Sequence, residues 1–256
     1  MKVLAIGAHP DDIELQCAGT LALYAEQGHE VHMAVVTNGD KGNFDVEPAE
    51  LARMREAEFR AACAVIGAQG VWMGYEDELL VNDLPTRLVF VDLIRSVNPD
   101  LVITHGANDY HPDHRYTHQL VWDALTLAGV ANVKTERPAT DRQVTLYFMD
   151  NLGGIDFHPT EFVDITDTIA KKKAALAKHA SQVDIFDRLL DVDLLDVVET
   201  VGKFRGYQAG CKYAEGFTKV EAWYRGLSRR LLPVGSGASR FVYKEGRSDR
   251  SIGSAE

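Results

Sequence analysis

The chain has 256 residues, 46% of them hydrophobic, and a formal net charge of -11 at pH 7. A chain of this size can bury a full core, so we expect one catalytic domain over residues 1–234. The Gly-, Ser- and Arg-rich tail over 235–256 is expected to be mobile or to make subunit contacts. The negative charge argues against nucleic acid as a partner, because binding to its backbone requires clustered lysine and arginine.

The cysteine content and the length of the apolar runs indicate where the protein acts. Cys17, Cys63 and Cys211 are far apart and form no CxxC pair, which indicates neither a disulfide framework nor a thiolate metal site. We therefore expect the reducing cytoplasm. The apolar stretch at the start is too short for a signal peptide, and no segment approaches the length of a membrane span.

The first half of the chain alternates apolar runs with helical patterns. The apolar runs predict four strands, at 3–6, 31–36, 71–73 and 101–103. The helical patterns predict helices at 14–27, closed by Gly28, and at 49–66, 84–97 and 116–128. Later in the chain the pattern predicts a strand at 144–149, helices at 166–182 and 194–204, and a last strand at 220–223.

This alternation predicts a Rossmann-like, doubly wound α/β fold, with a mainly parallel sheet flanked by helices. In such sheets ligands bind outside the carboxyl ends of the strands. Four polar clusters follow predicted strand ends, at 9–14, 37–42, 74–77 and 105–114. We therefore expect these clusters to face one crevice.

Two of these clusters are near repeats of each other, His9-Pro10-Asp11-Asp12 and His111-Pro112-Asp113-His114. A catalytic zinc site needs three protein ligands and an open position for water. His9, Asp12 and His114 satisfy that count. Asp11 is then available as a general base, and His111 could stabilise an oxyanion or protonate a leaving amine, with Asp113 orienting an imidazole.

Ordinary structural roles remain open for several of these side chains. Asp11 or Asp12 could cap the following helix, and His114 and His118 could be unremarkable residues near a helix start. Glu14 could assist the site or favour the helix N-terminus. The coincidence of two such clusters at strand ends that should meet favours one shared site.

These residues resemble the LmbE-like or PIG-L-type family of N-deacetylases. The resemblance lies in residues 7–14 and 111–114, and it extends to the 37–42 loop, Arg55-x-x-Glu58, 74–77, 176–182 and, more weakly, 213–217. It implies a zinc-dependent hydrolase that removes an acyl group, usually acetyl, from the nitrogen of an amino sugar or glycoconjugate. It likewise implies His9, Asp12 and His114 as metal ligands, Asp11 as the base and His111 as the electrophilic or acid histidine.

The resemblance also suggests residues that contact the substrate. Arg55 and Asp77 fall where related enzymes contact sugar hydroxyls, although Arg55 could equally be an exposed helix residue and Asp77 a turn residue. Tyr110 lies near the position at which some relatives place a catalytic tyrosine. His179 lies in a lysine-bearing helix, where a position on the helix surface is expected.

Three other functions compete with this interpretation. A dinucleotide-binding protein is disfavoured, because no G-x-G-x-x-G is present and Asp11 and Asp12 would repel a pyrophosphate. A metal-dependent phosphoesterase with two cations is the main alternative, and a binding protein without turnover is the third. For the hydrolase we expect one divalent ion per chain, zinc with iron or cobalt as alternatives, a small N-acetylated sugar or glycoconjugate as substrate, and a homo-oligomer.

Overall fold

The computed structural model describes residues 1–222 and 231–235. Within these residues seven strands are present: β1 (Lys2–Gly7), β2 (Glu30–Thr37), β3 (Gln69–Tyr75), β4 (Leu101–Thr104), β5 (Thr145–Met149), β6 (Glu161–Asp164) and β7 (Ala214–Lys219). The helices in the same residues are α1 (Asp12–Gln16), α2 (Ala18–Glu26), α3 (Pro48–Ile66), α4 (Leu84–Val97), α5 (Pro112–Leu127), α6 (Ile169–Leu176), α7 (Ala180–Leu190) and α8 (Leu194–Ala209).

The strands form one sheet in the order β3-β2-β1-β4-β5-β7-β6. Strands β1 to β5 pair in parallel, whereas β7 runs antiparallel to both β5 and β6. The predicted mainly parallel, doubly wound sheet is confirmed. Because β1 lies between β2 and β4, the chain winds away from β1 on both sides, and a crevice opens at its carboxyl end.

The hydrophobic core lies on both faces of the sheet. Val3 and Ala5 of β1 belong to the cluster on one face, and Leu4 and Ile6 belong to the cluster on the other. All four side chains are completely buried. A strand covered by helices on both faces has no solvent side, which explains its continuous apolar sequence.

Two helix boundaries near the site differ from the prediction. The single helix expected over 14–27 is interrupted at Cys17, whose φ of -143° is not helical, so α1 and α2 are separate helices. The helix expected from residue 116 begins at Pro112 instead. Proline is well suited to the first helical position, and this earlier start places Asp113 and His114 on the first turn of α5.

The C-terminal half departs further from the prediction. The helix expected over 166–182 is two helices, α6 and α7, which meet at a bend before residue 180. The last strand was predicted at 220–223, but β7 ends at Lys219; residue 223 lies outside the described residues, as do residues 236–256 of the expected tail. Strand β6 was not predicted. Among the described residues, no helix combines the length and apolar character that crossing a membrane would require.

Candidate functional site

The carboxyl ends of the parallel strands open into one cavity of about 230 Å³. The expected common crevice is thus present. Of the nine site residues predicted from the sequence, all but Asp113 line this cavity: His9, Asp11, Asp12, Arg55, Asp77, Tyr110, His111 and His114. Asp113 is fully buried behind His9.

Three predicted metal ligands converge in this cavity. His9 Nδ1 lies 3.1 Å from His114 Nε2 and 3.4 Å from Asp12 Oδ2, and His114 Nε2 lies 3.2 Å from Asp12 Oδ1. Two ligand atoms bound to one tetrahedral zinc ion are about 3.3 Å apart, given bond lengths of about 2.0–2.1 Å. Each observed separation is close to this value, with His9 and His114 approaching different oxygens of the Asp12 carboxylate, so the three side chains are candidates to share one ion.

Each of the two histidines has a carboxylate behind it. The Nδ1 atom of His114 lies 3.0 Å from Asp109 Oδ1, and the Nε2 atom of His9 lies 3.3 Å from both Asp113 Oδ2 and Asp77 Oδ1. A carboxylate on the far nitrogen fixes the orientation of a metal-binding imidazole and increases its basicity. Asp113 thus lies where it can orient an imidazole, as the sequence predicted, whereas Asp109 was not predicted in this role.

The electrostatics of the cluster favour a cation. Burial alone lowers the pKa of His9, but Asp12, Asp113 and Asp77 outweigh it and raise the pKa to about 10. Burial likewise opposes a positive charge on His114, yet Asp12 and Asp109 raise its pKa to about 9. The carboxylates thus stabilise positive charge in the cavity, and a divalent ion could supply that charge in place of protons on the histidines.

His105 is a further residue of the cluster that the sequence argument missed. Its ring stacks on that of His114 at 4.0 Å, and its Nε2 lies 3.3 Å from Asp12 Oδ2. Burial, followed by the repulsion of His114, lowers its pKa to about 4. His105 follows β4 as His9 follows β1, and that equivalence was the available signal.

More than one set of side chains could hold an ion. Among the described residues the candidate groups are Asp12, His105 and His114; His9, His111 and His114; and His9, Asp77 and Asp113. The Nε2 atom of His105 accepts a hydrogen bond from the amide of Ala8 at 3.0 Å. Its lone pair is thereby engaged, so His9 is the better partner for Asp12 and His114.

Asp11 lines the cavity without belonging to the ligand triad. It immediately precedes α1 with a φ of 130°, a conformation that L-residues rarely adopt. Its Oδ2 lies 3.4 Å from Arg55 Nη2. Burial raises the pKa of Asp11 to about 6, although the Arg55 guanidinium opposes this rise. The Asp11 carboxylate is therefore not one of the three predicted ligands, and its contact with Arg55 holds it beside them.

Arg55 is a buried residue, only 3% exposed, and not a surface residue of its helix. Its Nη2 also donates to Pro10 O at 2.5 Å, and its Nη1 donates to Gly39 O at 3.2 Å. The guanidinium thus joins the loop after β1 to the loop after β2. It lines the cavity, but it holds Asp11 as well.

Asp77 is equally engaged with its surroundings. It is 3% exposed and accepts hydrogen bonds from Thr37 Oγ1 at 3.0 Å and from the amide of Lys41 at 3.3 Å. These contacts link the end of β2 to the residues that follow β3. Asp77 therefore supports the loops and His9, while also lining the cavity.

His111 and Tyr110 lie at the mouth of the cavity. His111 Nδ1 accepts the amide hydrogen of Asp113 at 3.2 Å, so the neutral ring carries its proton on Nε2, which lies 3.1 Å from Glu78 Oε1. The ring centroid is 4.4 Å from that of His9. His111 can therefore present an N–H group to a bound molecule. Tyr110 is 48% exposed.

His179 was expected on a helix surface, and that expectation was wrong. Its side chain is completely buried, and Nε2 lies 3.2 Å from Glu14 Oε1. The helix predicted over 166–182 is divided into α6 and α7, and His179 lies at the junction between them, directly before α7. It is therefore not a surface residue of one continuous helix. Glu14, also buried, faces this histidine and not solvent.

One family model and several known proteins are similar to this chain. Residues 4–125 match the family model described as PIG-L, GlcNAc-PI de-N-acetylase. The chain is 28% identical to the diacetylchitobiose deacetylase of Thermococcus kodakarensis, over 86% of this chain and 83% of that protein. It is 32% identical to a 1D-myo-inositol 2-acetamido-2-deoxy-alpha-D-glucopyranoside deacetylase of Thermobispora bispora, over 50% and 52% of the two chains.

A solved structure shares the fold but has a different named activity. The 4-carboxy-2-hydroxymuconate hydratase of Pseudomonas putida KT2440 superimposes with a TM-score of 0.77 and 25% identity, covering 90% of this chain and 99% of that one. The proteins similar to this chain therefore include both deacetylases and a hydratase. The chemistry of the cavity must distinguish the two activities.

Proposed function

We propose that this chain, which carries a domain of the PIG-L (LmbE-like) family over residues 4–125, is a metal-dependent hydrolase that removes an N-acyl group, in the first instance acetyl, from an amino sugar or glycoconjugate. The observation that carries the proposal is the triad His9, Asp12 and His114, in which each side chain has a nitrogen or oxygen atom within 3.4 Å of such an atom in each of the other two. The additional carboxylate of Asp11 lines the same cavity. Hydrolysis of an amide requires both an electrophilic centre and a base.

In this proposal His9, Asp12 and His114 would hold the ion, with Asp109 and Asp113 orienting the two imidazoles. A bound divalent cation would polarise the acyl carbonyl and lower the pKa of a water molecule. Asp11 would serve as the base that takes up the proton released when a water molecule attacks the carbonyl carbon. Arg55 keeps Asp11 at the edge of the cavity while this happens.

The leaving nitrogen must gain a proton when the carbon–nitrogen bond breaks. Asp11 can return the proton it has accepted to the nitrogen, and the Nε2–H group of His111 can donate a hydrogen bond to the oxyanion that forms before the carbon–nitrogen bond breaks. The position of His111 at the cavity mouth is compatible with this role. The products are acetate and a free amine.

The charge of the cavity favours this activity over hydration of a carboxymuconate. Within the described residues its lining includes four carboxylates, Asp11, Asp12, Asp77 and Glu78, but Arg55 is the one permanently charged cation. A substrate that itself carries carboxylates would be repelled even with a divalent ion bound. A neutral N-acetyl sugar avoids that repulsion. The same argument disfavours a phosphate ester.

One ion fits the cavity better than the two of a phosphoesterase. Two of the candidate groups, Asp12-His105-His114 and His9-Asp77-Asp113, share no residue, but an ion held by His9, Asp12 and His114 takes at least one ligand from every candidate group among the described residues. No complete group is then left for a second ion. We therefore retain one ion per chain, with zinc as the first choice and iron or cobalt as alternatives, because histidine and aspartate ligands suit all three. A cytoplasmic location and a homo-oligomer remain predictions.

The direct experiment incubates the metal-loaded protein with a panel of N-acetylated sugars and glycosides and measures amine release. A parallel reaction offers 4-carboxy-2-hydroxymuconate and follows its hydration. We expect amine from at least one N-acetyl compound and no hydration. Hydration without amine release from any member of the panel would replace the deacetylase proposal by the hydratase alternative.

A further inference from the structure

The buried pair of Glu14 and His179 takes no direct part in the proposed reaction. Their exposed fractions are 1% and 0%, and Glu14 Oε1 lies 3.2 Å from His179 Nε2. None of the four polar side-chain atoms of the pair, including the facing Glu14 Oε1 and His179 Nε2, has a hydrogen-bond partner among the described residues, so the two side chains are in charge contact only. An ionisable pair buried with so little compensation is costly, because its desolvation can exceed its mutual attraction. Such a pair contributes little to stability by itself.

The pair connects the shortest helix near the site to a second, distant part of the chain. Helix α1 has only five residues and begins directly after Asp11. A helix of this length is not stable by itself, and Asp11 O accepts the amide hydrogen of Leu15 within it at 2.9 Å. The first turn of α1, with Glu14, therefore depends on contacts from outside to keep its geometry.

His179 is itself firmly held by two segments. Glu58 of α3 accepts hydrogen bonds from Ser181 N at 2.8 Å and from Ser181 Oγ at 2.7 Å, which fixes the start of α7. The carbonyl of His179 accepts the amide hydrogens of Gln182 and Val183, both at 3.0 Å. Two residues about one turn apart on α3 thus have separate roles: Arg55 contacts Asp11, whereas Glu58 binds the start of α7.

The charges of this region alternate around Asp11. Asp11 and Arg55 are in contact, and His179 interacts electrostatically with Asp11, Arg55 and Glu14. With His179 protonated, the four side chains comprise two anions and two cations. Arg55 and His179 therefore both offset the buried negative charge of Asp11.

We infer that His179 is a positioning residue for the base Asp11, acting through Glu14 to fix the first turn of α1 from behind. This inference rests on the proposed hydrolase function for its kinetic consequence. It does not require His179 to touch substrate or the ion. Its structural consequence, an ordered α1, holds whatever the reaction is.

The test compares the full-length, metal-loaded wild type with His179→Gln, Glu14→Gln and the double variant. We expect each single variant to lower kcat about tenfold to a hundredfold through a small displacement of Asp11, with KM and metal content unchanged. The double variant should be no worse than the worse single variant, because the two residues act as one unit. Hydrogen exchange should accelerate at the amides of residues 11–17 in all three.

The matched control is Arg95, a buried side chain near the end of α4, which leads to the amino end of β4 and so to the sheet edge opposite the cavity. Its guanidinium donates to the carbonyls of Ala128 and Val130. Arg95→Gln should lower the melting temperature without changing kcat or the exchange of residues 11–17. A control variant that lost kcat as much as His179→Gln would reduce the effect to general destabilisation and overturn the inference.

Other outcomes are equally decisive. Unchanged exchange in residues 11–17 of His179→Gln, multiplicative losses in the double variant, or loss of the metal from a single variant would each remove His179 from this role. A wild type that releases no amine from any substrate would refute the proposed function instead. In that case the exchange experiment alone still decides whether His179 orders α1.

Discussion

His9 Nδ1 and His114 Nε2 face each other at 3.1 Å, although the two residues are 105 positions apart in the chain. The fold creates this contact because β1 and β4 are neighbours in the sheet, with Ile6 paired with Thr104, so their following loops leave the same edge. Two imidazole nitrogens at this separation can share one proton or one metal ion. The carboxylates of Asp12, Asp109 and Asp113 around them favour the ion.

Removal of the base should separate metal binding from turnover. Asp11→Asn preserves the shape of the side chain and leaves the triad intact, but the amide cannot accept a proton. We expect the metal content to be unchanged and kcat to fall on the order of a hundredfold to ten-thousandfold. Elemental analysis and amine release measure the two quantities. Full activity in this variant would exclude Asp11 as the base.

Removal of a ligand should abolish both properties. His114→Ala deletes one of three protein ligands, so we expect a protein that retains neither metal after dialysis nor amine release. The measurement is metal content by elemental analysis, with the melting temperature as evidence of folding. An active, metal-replete variant would show that His114 is not a ligand and would favour the group His9, Asp77 and Asp113, which among the candidate groups of the described residues does not use His114.

The carboxylate behind His114 should have a graded effect. Asp109→Asn keeps a hydrogen-bond acceptor near Nδ1 but loses its charge, and we expect the metal affinity to fall about tenfold to a hundredfold. Competition with a chromogenic chelator measures this constant. An affinity equal to that of the wild type would mean that Asp109 does not orient the ligand, despite its distance of 3.0 Å.

Substitution of two glycines, Gly39 and Gly28, tests whether the position of the Arg55 side chain matters for activity. Gly39 has a φ of +65°, and a Cβ there would collide with the Arg55 guanidinium, whereas Gly28, with a φ of +79°, has open space around it. Both Gly→Ala changes cost about 1–2 kcal/mol for the left-handed backbone. Gly39→Ala should in addition displace Arg55 and lower kcat, and Gly28→Ala should not. Equal activity of the two variants would argue against a role of Arg55 in holding Asp11.

The buried histidine predicts a pH dependence of stability. Burial lowers the pKa of His179, but Glu14 and Asp11 outweigh burial and Arg55, so the folded pKa is raised. The stabilisation from this shift is complete below the unfolded pKa of about 6.5 and is lost as the pH rises through the folded value. The melting-temperature difference between wild type and His179→Gln should therefore shrink from pH 6 to pH 9. A constant or growing difference would contradict the raised pKa.

The sequence was sufficient to predict the parallel half of the fold and most of the cavity. The apolar runs of β1, β2 and β4 are buried on both faces, so their pattern has a single interpretation, and the polar residues after them had to share an edge. His9, Asp12 and His114 could be selected because two similar motifs follow two such strands. Their mutual distances bear out this convergence, while their roles await experiment.

The remaining features depend on tertiary contacts that have no local signature. The break at Cys17 lies inside a continuous apolar helical pattern, and the start of α2 is held by Glu215, which accepts the amide hydrogens of Gly19 and Thr20 from almost 200 residues away. The burial of His179 likewise results from Glu58 and Glu14, which belong to other elements. The early start of α5 did have a local signal, Pro112 at the first helical position.

The most direct test of the whole account is a titration of the chelator-treated protein with zinc while amine release from an N-acetylated sugar is recorded. If His9, Asp12 and His114 together bind one ion, activity should rise linearly with added zinc and reach its plateau at one equivalent per chain. A plateau only at two equivalents, or activity that is already complete before any zinc is added, would contradict it.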